Sequence, residues 1–158
     1  MSSASPFSRL SKLGAHLRQV PTMSTRPPIT CHVLDTMSGT PASSIAVYLI
    51  YLDNNTKQGE VAFAGETNSD GRVAIWKAWN QHEANSMEEV FRRTEGEMRW
   101  AMRFETGTYW EAKGVKPFFP EVEIKFVTQG YSSIEEKGKH WHVPLLLGPY
   151  SYTTYRGS

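Results

Sequence analysis

Two histidines, His140 and His142, stand two positions apart in the run Lys139-His140-Trp141-His142-Val143-Pro144-Leu145-Leu146-Leu147. The run reads as a strand, where residues i and i+2 share a face. A third histidine, His32, sits in an alternating segment near the other end of the chain, and Arg72 directly follows the turn sequence Asn68-Ser69-Asp70-Gly71. An unperturbed imidazole has a pKa of about 6.5, so His32 or His142 can take a proton from water near neutral pH. A positioned base of this kind is worth roughly 10²–10⁴-fold in rate. Arg72 stays charged at any working pH and offers a planar fork to a carbonyl or a developing oxyanion. A base for water and a cation for the oxyanion are what hydrolysis at a carbonyl needs.

The same residue types suit two other chemistries. Cys31 beside His32 suggests a nucleophilic pair, but neighbouring strand residues face opposite ways, so Cys31 reads as a small buried apolar residue. Three imidazoles and a water form a catalytic zinc site, which keeps a metal reading open on residue types alone. Asp70 is explained by its turn and not as a catalytic acid. His82 lies outside every motif and reads as a structural histidine.

The elements that must position these groups are almost all strands. Ile29 to Asp35 alternates, with Thr30, His32 and Leu34 on one face and Cys31, Val33 and Asp35 on the other. A Ser38-Gly39-Thr40-Pro41 turn follows, then strands over 45–52, 61–67 and 72–79, the last two joined by the Asp-Gly hairpin signal. Asp53-Asn54-Asn55 reads as the turn between the first pair. Ser86 three residues ahead of Glu89 is a capping-box arrangement and predicts a short helix over 88–93. Met98, Trp100, Met102 and Phe104 alternate with polar residues, predicting a half-buried strand whose apolar stripe is core. A short helix over 109–114, closed by Gly114, precedes a strand over 122–128, a polar loop over 130–138 and two closing strands. Strand formers continue to within three residues of Ser158, and since free ends usually fray into small polar residues, the terminus reads as docked.

Four ordered segments carry a resemblance. Ile29-Thr30-Cys31-His32-Val33-Leu34-Asp35-Thr36, Thr67-Asn68-Ser69-Asp70-Gly71-Arg72, Phe118-Phe119-Pro120-Glu121-Val122, and His140 to Leu147 with the ending Tyr155-Arg156-Gly157-Ser158, resemble the motifs of the 5-hydroxyisourate hydrolases. These are transthyretin-like enzymes of urate breakdown. The resemblance implies an all-β fold, a transthyretin-like two-sheet β-sandwich, in agreement with a reading of about eight strands and one or two short helices. It also implies hydrolysis of 5-hydroxyisourate to 2-oxo-4-hydroxy-4-carboxy-5-ureidoimidazoline, without cofactor or metal, Arg72 doing the electrostatic work a zinc ion would otherwise do. By the same resemblance His32, Arg72 and His142 are catalytic, Tyr155 and Ser158 bind substrate, and His140 has a supporting role at the substrate. A homotetramer, a dimer of dimers with sites between the dimers, is implied as well. Trp141 stands where the family commonly has Tyr, and Gly148 and Ser151 replace its commoner Ser and Gly; none of the three is a chemical group of the site. The connection over 80–97 is longer than is usual in the family and is expected to be a surface elaboration. The rival reading is a transthyretin-like carrier of a small aromatic ligand, which Gly148 to Tyr152 resembles. Such a carrier has no need of His32, Arg72, His142 and the Tyr-Arg-Gly-Ser ending together.

Bulk properties bound these readings. At 158 residues, 39% hydrophobic and 12% aromatic, the chain has the size and composition of one globular domain. Nothing approaches the ~18–20 consecutive apolar residues that cross a bilayer, so no membrane partner is expected. Residues 1–28 hold Arg9, Lys12, Arg18 and Arg26 without an acid, leaving residues 29–158 with 13 basic and 16 acidic groups, a net charge of −3. A slightly acidic body argues against nucleic acid. Residues 1–28 read as a leader, 29–158 as the domain. Arg9-Leu10, five residues and His16-Leu17 resemble the N-terminal peroxisomal signal, with a mitochondrial presequence, or cytosolic synthesis starting at Met23, as the alternatives. The lone Cys31 excludes an intramolecular disulfide, and the Asn54-Asn55-Thr56 sequon has no secretory signal to give it meaning.

Overall fold

A computed structural model of the chain describes residues 26–52, 59–79, 86–131 and 139–158. Most of the leader, with Arg9, Leu10, His16, Leu17 and Met23, lies outside the described residues, as do the turn at 53–55, His82 and most of the 130–138 loop. The described residues form nine strands and two helices in chain order: β1 (Ile29–Asp35), β2 (Thr40–Pro41), β3 (Ala46–Leu52), β4 (Gly59–Glu66), β5 (Lys77–Ala78), α1 (Met87–Arg93), β6 (Glu97–Phe104), α2 (Thr106–Ala112), β7 (Val122–Gln129), β8 (Trp141–Leu147) and β9 (Tyr152–Thr154). They build two sheets, one ordered β2-β1-β8-β9 and the other β5-β4-β3-β6-β7. Neither helix is long and apolar enough to cross a membrane.

Alternation decides which residues lie between the sheets. Ile29, Cys31 and Val33 of β1 and Val143, Leu145 and Leu147 of β8 meet Val47 and Leu49 of β3 and the stripe Met98, Trp100, Met102 and Phe104 of β6, all buried. Each such side chain contributes roughly 1.5–3 kcal/mol by leaving water. The core therefore uses the odd-numbered face of β1, which turns Thr30 and His32 away from it.

The expected strand over 72–79 shrinks to Lys77–Ala78, with one further bridge between Thr67 and Val73. Two hydrogen bonds draw the intervening chain across to the other sheet: Val33 N–H donates to the Gly71 carbonyl at 2.8 Å, and the Trp76 indole N–H to the Ile29 carbonyl at 3.1 Å. A segment held against β1 cannot also pair along β4. Conversely, the expected turn at 38–41 supplies an extra short strand, since Thr40 and Pro41 pair with Asp35 and Leu34.

Helix α1 starts where its cap predicts, the Ser86 hydroxyl accepting from Glu89 N–H at 3.2 Å. It is not a surface elaboration. Met87, Val90 and Phe91 fall on one helical face, and fully buried Phe91 stacks on Trp100 and Trp141 at centroid distances of 5.9 and 5.2 Å. The helix closes one end of the sandwich. Helix α2 begins three residues earlier than expected, at Thr106, and ends before Gly114, whose φ of +71° suits a residue without Cβ.

Asp35, 1% exposed, ties α2 to the end of β1. Its carboxylate accepts from the Tyr109 hydroxyl at 2.7 Å, Lys113 Nζ at 3.0 Å and the amides of Met37 and Ser38 at 2.8 and 3.2 Å. Burial alone would raise its pKa, but the Tyr109 and Lys113 bonds and the two amides outweigh it and hold the carboxyl at about 2, from an ordinary 3.8. Because the folded value is depressed, this contribution to stability is complete above about pH 4 and is lost as pH falls through about 2. Asp35→Ala is expected to cost about 1–3 kcal/mol in urea unfolding at pH 7, and much less at pH 2. An equal loss at both pH values would show that the carboxylate's charge plays no part.

Candidate active site

Strands β1 and β8 pair in parallel, in a register that sets Thr30 beside His142 and His32 beside Pro144. Cys31 and Val143 point inward from the same stretch, so Thr30, His32 and His142 share the outward face of this sheet. Burial pushes the Cys31 thiol up to about 12, which keeps it protonated and unsuited to nucleophilic attack.

Arg72 arrives on the hairpin turn. The Asn68 side-chain oxygen accepts from the amides of Asp70 and Arg72 at 3.0 and 3.1 Å, and Asn68 N–H donates to the Arg72 carbonyl at 2.9 Å. Gly71 has a φ of +70°, and a Cβ there would lie 2.4 Å from the Val33 carbonyl oxygen. Only glycine permits this close approach of the turn to β1. It brings the guanidinium near enough to lower the pKa of both His32 and His142. Among the described residues that guanidinium has no hydrogen-bond or ion-pair partner, which leaves its donors for a ligand.

The histidines differ in what holds them. Burial, then the Arg72 charge, lowers the pKa of His32, outweighing the nearby Asp70 backbone and charge, which raise it. His142, 9% exposed, is pushed down to about 4 by burial first and then by Arg72, His140, Arg26 and His32. It is neutral at pH 7, with a lone pair free to accept a proton. His142 Nδ1 lies 2.8 Å from Thr30 Oγ1, and His140 Nε2 lies 3.0 Å from the same oxygen. His140 Nδ1 meets the Pro27 carbonyl at 3.1 Å, so both ring nitrogens of His140 already have protein partners.

The chain's end is docked, as the sequence indicates. Strand β9 pairs with β8, and beyond it Gly157 N–H donates to the His142 carbonyl at 2.9 Å. A Cβ on Gly157 would fall 2.5 Å from His142 Cδ2 and 3.1 Å from Pro144 Cγ, so the tail lies flat on the imidazole. Tyr155 and Ser158 flank this contact with exposed side chains; neither hydroxyl has a hydrogen-bond partner among the described residues. His32, Arg72, His140, His142 and the tail backbone thus converge on one surface. Sequence reasoning did not assign a role to Thr30 or to Gly157. Alternation places Thr30 on the face of His32, but its bonds depend on the register with β8, and Gly157 carries no signal beyond the terminal motif.

Such a surface can bind an anionic or carbonyl-rich ring, draw a proton from water and stabilise negative charge on oxygen. Residues 29–157 match the model of the HIUase/Transthyretin family. A Schizosaccharomyces pombe protein named probable 5-hydroxyisourate hydrolase is 38% identical over 133 residues, 84% of this chain and 92% of that one. The 5-hydroxyisourate hydrolase of Mus musculus is 35% identical over 131 residues, covering 83% and 95% of the two chains. In three dimensions the chain is similar to Klebsiella pneumoniae 5-hydroxyisourate hydrolase, with a TM-score of 0.57, 28% identity and coverage of 82% and 98%. It is also similar to Sparus aurata transthyretin, with a TM-score of 0.63, 25% identity and coverage of 84% and 97%. With a two-sheet sandwich and a family match over residues 29–157, the chain belongs to the HIUase/transthyretin family.

Proposed function

We propose that this chain is a 5-hydroxyisourate hydrolase, opening the ring to 2-oxo-4-hydroxy-4-carboxy-5-ureidoimidazoline in urate degradation. The observation that carries the reading is the convergence on one surface of the His142 imidazole, held by Thr30 and covered on one side by the chain's own end, with Arg72, whose guanidinium has no partner among the described residues. His142 takes the proton from water as it attacks the ring carbonyl, and returns it to the ring nitrogen as the tetrahedral intermediate collapses and the C–N bond breaks. Arg72 stabilises the resulting oxyanion, and its charge also favours the carboxylate of the product. His32, near the same charge, orients the ring, with Tyr155 and Ser158 at the rim. Overall fold does not separate enzyme from carrier, since the hydrolase and the transthyretin score alike. The decisive test generates 5-hydroxyisourate from urate in situ and follows its ultraviolet decay with and without the protein. Acceleration far beyond the spontaneous rate is expected; an unchanged rate, with tight binding of an aromatic ligand, would favour the carrier.

Self-association as a homotetramer belongs to this reading. Strands β7 and β9 each form one edge of their sheets, and Val127, Tyr152 and Tyr155 are exposed on them or just beyond. Sedimentation velocity should return four times the chain mass, and a monomer would remove this part of the reading. The segment Arg9-Leu10 to His16-Leu17 supports delivery to peroxisomes. Residues 1–28 fused to a fluorescent protein should then reach peroxisomes, and a diffuse or mitochondrial signal would reject that address.

A further inference from the structure

Thr30 lies between two imidazoles, and the donor inventory of the chain it completes has one solution when both rings are neutral. A carbonyl only accepts, so the Pro27 oxygen requires a hydrogen on His140 Nδ1. His140 Nε2 is then a lone pair, and the Thr30 hydroxyl donates to it. With its one hydrogen committed, Thr30 Oγ1 can only accept from His142 Nδ1–H. The remaining nitrogen of His142, Nε2, is left with its lone pair and has no protein partner among the described residues.

We infer that Thr30 and His140 are positioning residues that lock His142 in the Nδ1–H tautomer, so that Nε2 is the atom that accepts the proton from water. The inference rests on the hydrolase reading for its consequence in rate, but the tautomer itself is a property of the resting protein. Burial first and then the Arg26 charge lower the pKa of His140, and burial first and then the Arg72 charge lower that of His142, so both rings are neutral at pH 7 and the relay keeps this sense.

Thr30→Val keeps the side chain's shape and removes the hydroxyl, whereas Thr30→Ser keeps the hydroxyl. In the valine variant kcat is expected to fall on the order of 10–100-fold with little change in KM, since a misassigned tautomer forfeits much of a positioned base's worth. The serine variant should remain within a few-fold of the wild type. Nitrogen-15 spectra of the imidazoles at pH 7 read the tautomer without any turnover. His142 should show a protonated Nδ1 in the wild-type and serine proteins and a shift toward the other tautomer in the valine protein. A wild-type His142 protonated on Nε2 would overturn the inference, as would a valine variant with unchanged kcat or a serine variant as slow as the valine one. Absence of hydrolase activity in the wild type alongside the expected spectra would instead strike the functional reading and leave the relay standing.

Discussion

His142→Ala is expected to lower kcat for 5-hydroxyisourate by roughly 10²–10⁴-fold, the worth of a positioned base, while the protein stays folded. Folding should survive because the imidazole lies on the outward face of β8, opposite the core side chains Val143 and Leu145. Arg72→Ala is expected to lose on the order of 10²–10³-fold, as removal of one oxyanion donor does. The pH profile gives a second reading of the same group. The catalytic form of His142 is the neutral one, and burial followed by the Arg72, His140, Arg26 and His32 charges holds its pKa at about 4. Activity should therefore be level from neutral pH down to about pH 5, and fall as pH drops through about 4. In Arg72→Ala the residual activity should fall at higher pH, because one of the charges opposing protonation is gone. An acid limb near the ordinary 6.5 of a solvated histidine, in wild type, would point to a base other than His142.

Gly157→Ala should be nearly as damaging, although it removes no functional group. The added methyl would sit 2.5 Å from His142 Cδ2, a separation that forces either the ring or the tail to move. If the ring moves, Nε2 leaves its aligned position, and a displacement of about 1 Å in a reacting group can cost about 10²-fold. If the tail moves, the Gly157 amide gives up the His142 carbonyl and carries Tyr155 and Ser158 away from the site. Both routes lower kcat, and the second also raises KM. Stability should change by no more than about 1 kcal/mol, because the last residues are largely exposed and bury little apolar surface. Steady-state kinetics beside a urea titration separates the two effects. A variant with normal kcat and KM would mean that the tail does not press on a working imidazole.

These two expectations differ in how far they could be read from residues alone. His142 and the face it shares with His140 follow from alternation and from the motif around it. So do the inward stripe of β6, the Asn68–Gly71 turn and the Ser86 cap, since each depends on residues within a few positions of one another. The burial of Phe91 had a local signal in the Met87, Val90 and Phe91 spacing, but the composition of a long connection obscured it. Nothing local shortens the strand after Arg72. That outcome depends on Gly71 and Trp76 finding Val33 and Ile29 in another sheet.

By itself the sequence determined the class of fold, the alternating faces, and which imidazoles and guanidinium are available for chemistry, because period, turn type and side-chain identity are properties of neighbours along the chain. The tertiary structure alone decided that Thr30 stands beside His142 and that Gly157 lies against its ring. Both contacts join residues more than a dozen positions apart, or the two ends of the chain. Their geometry is set by the parallel register of β1 with β8, and that register is imposed by the packing of Cys31, Val33, Val143 and Leu145 beneath it.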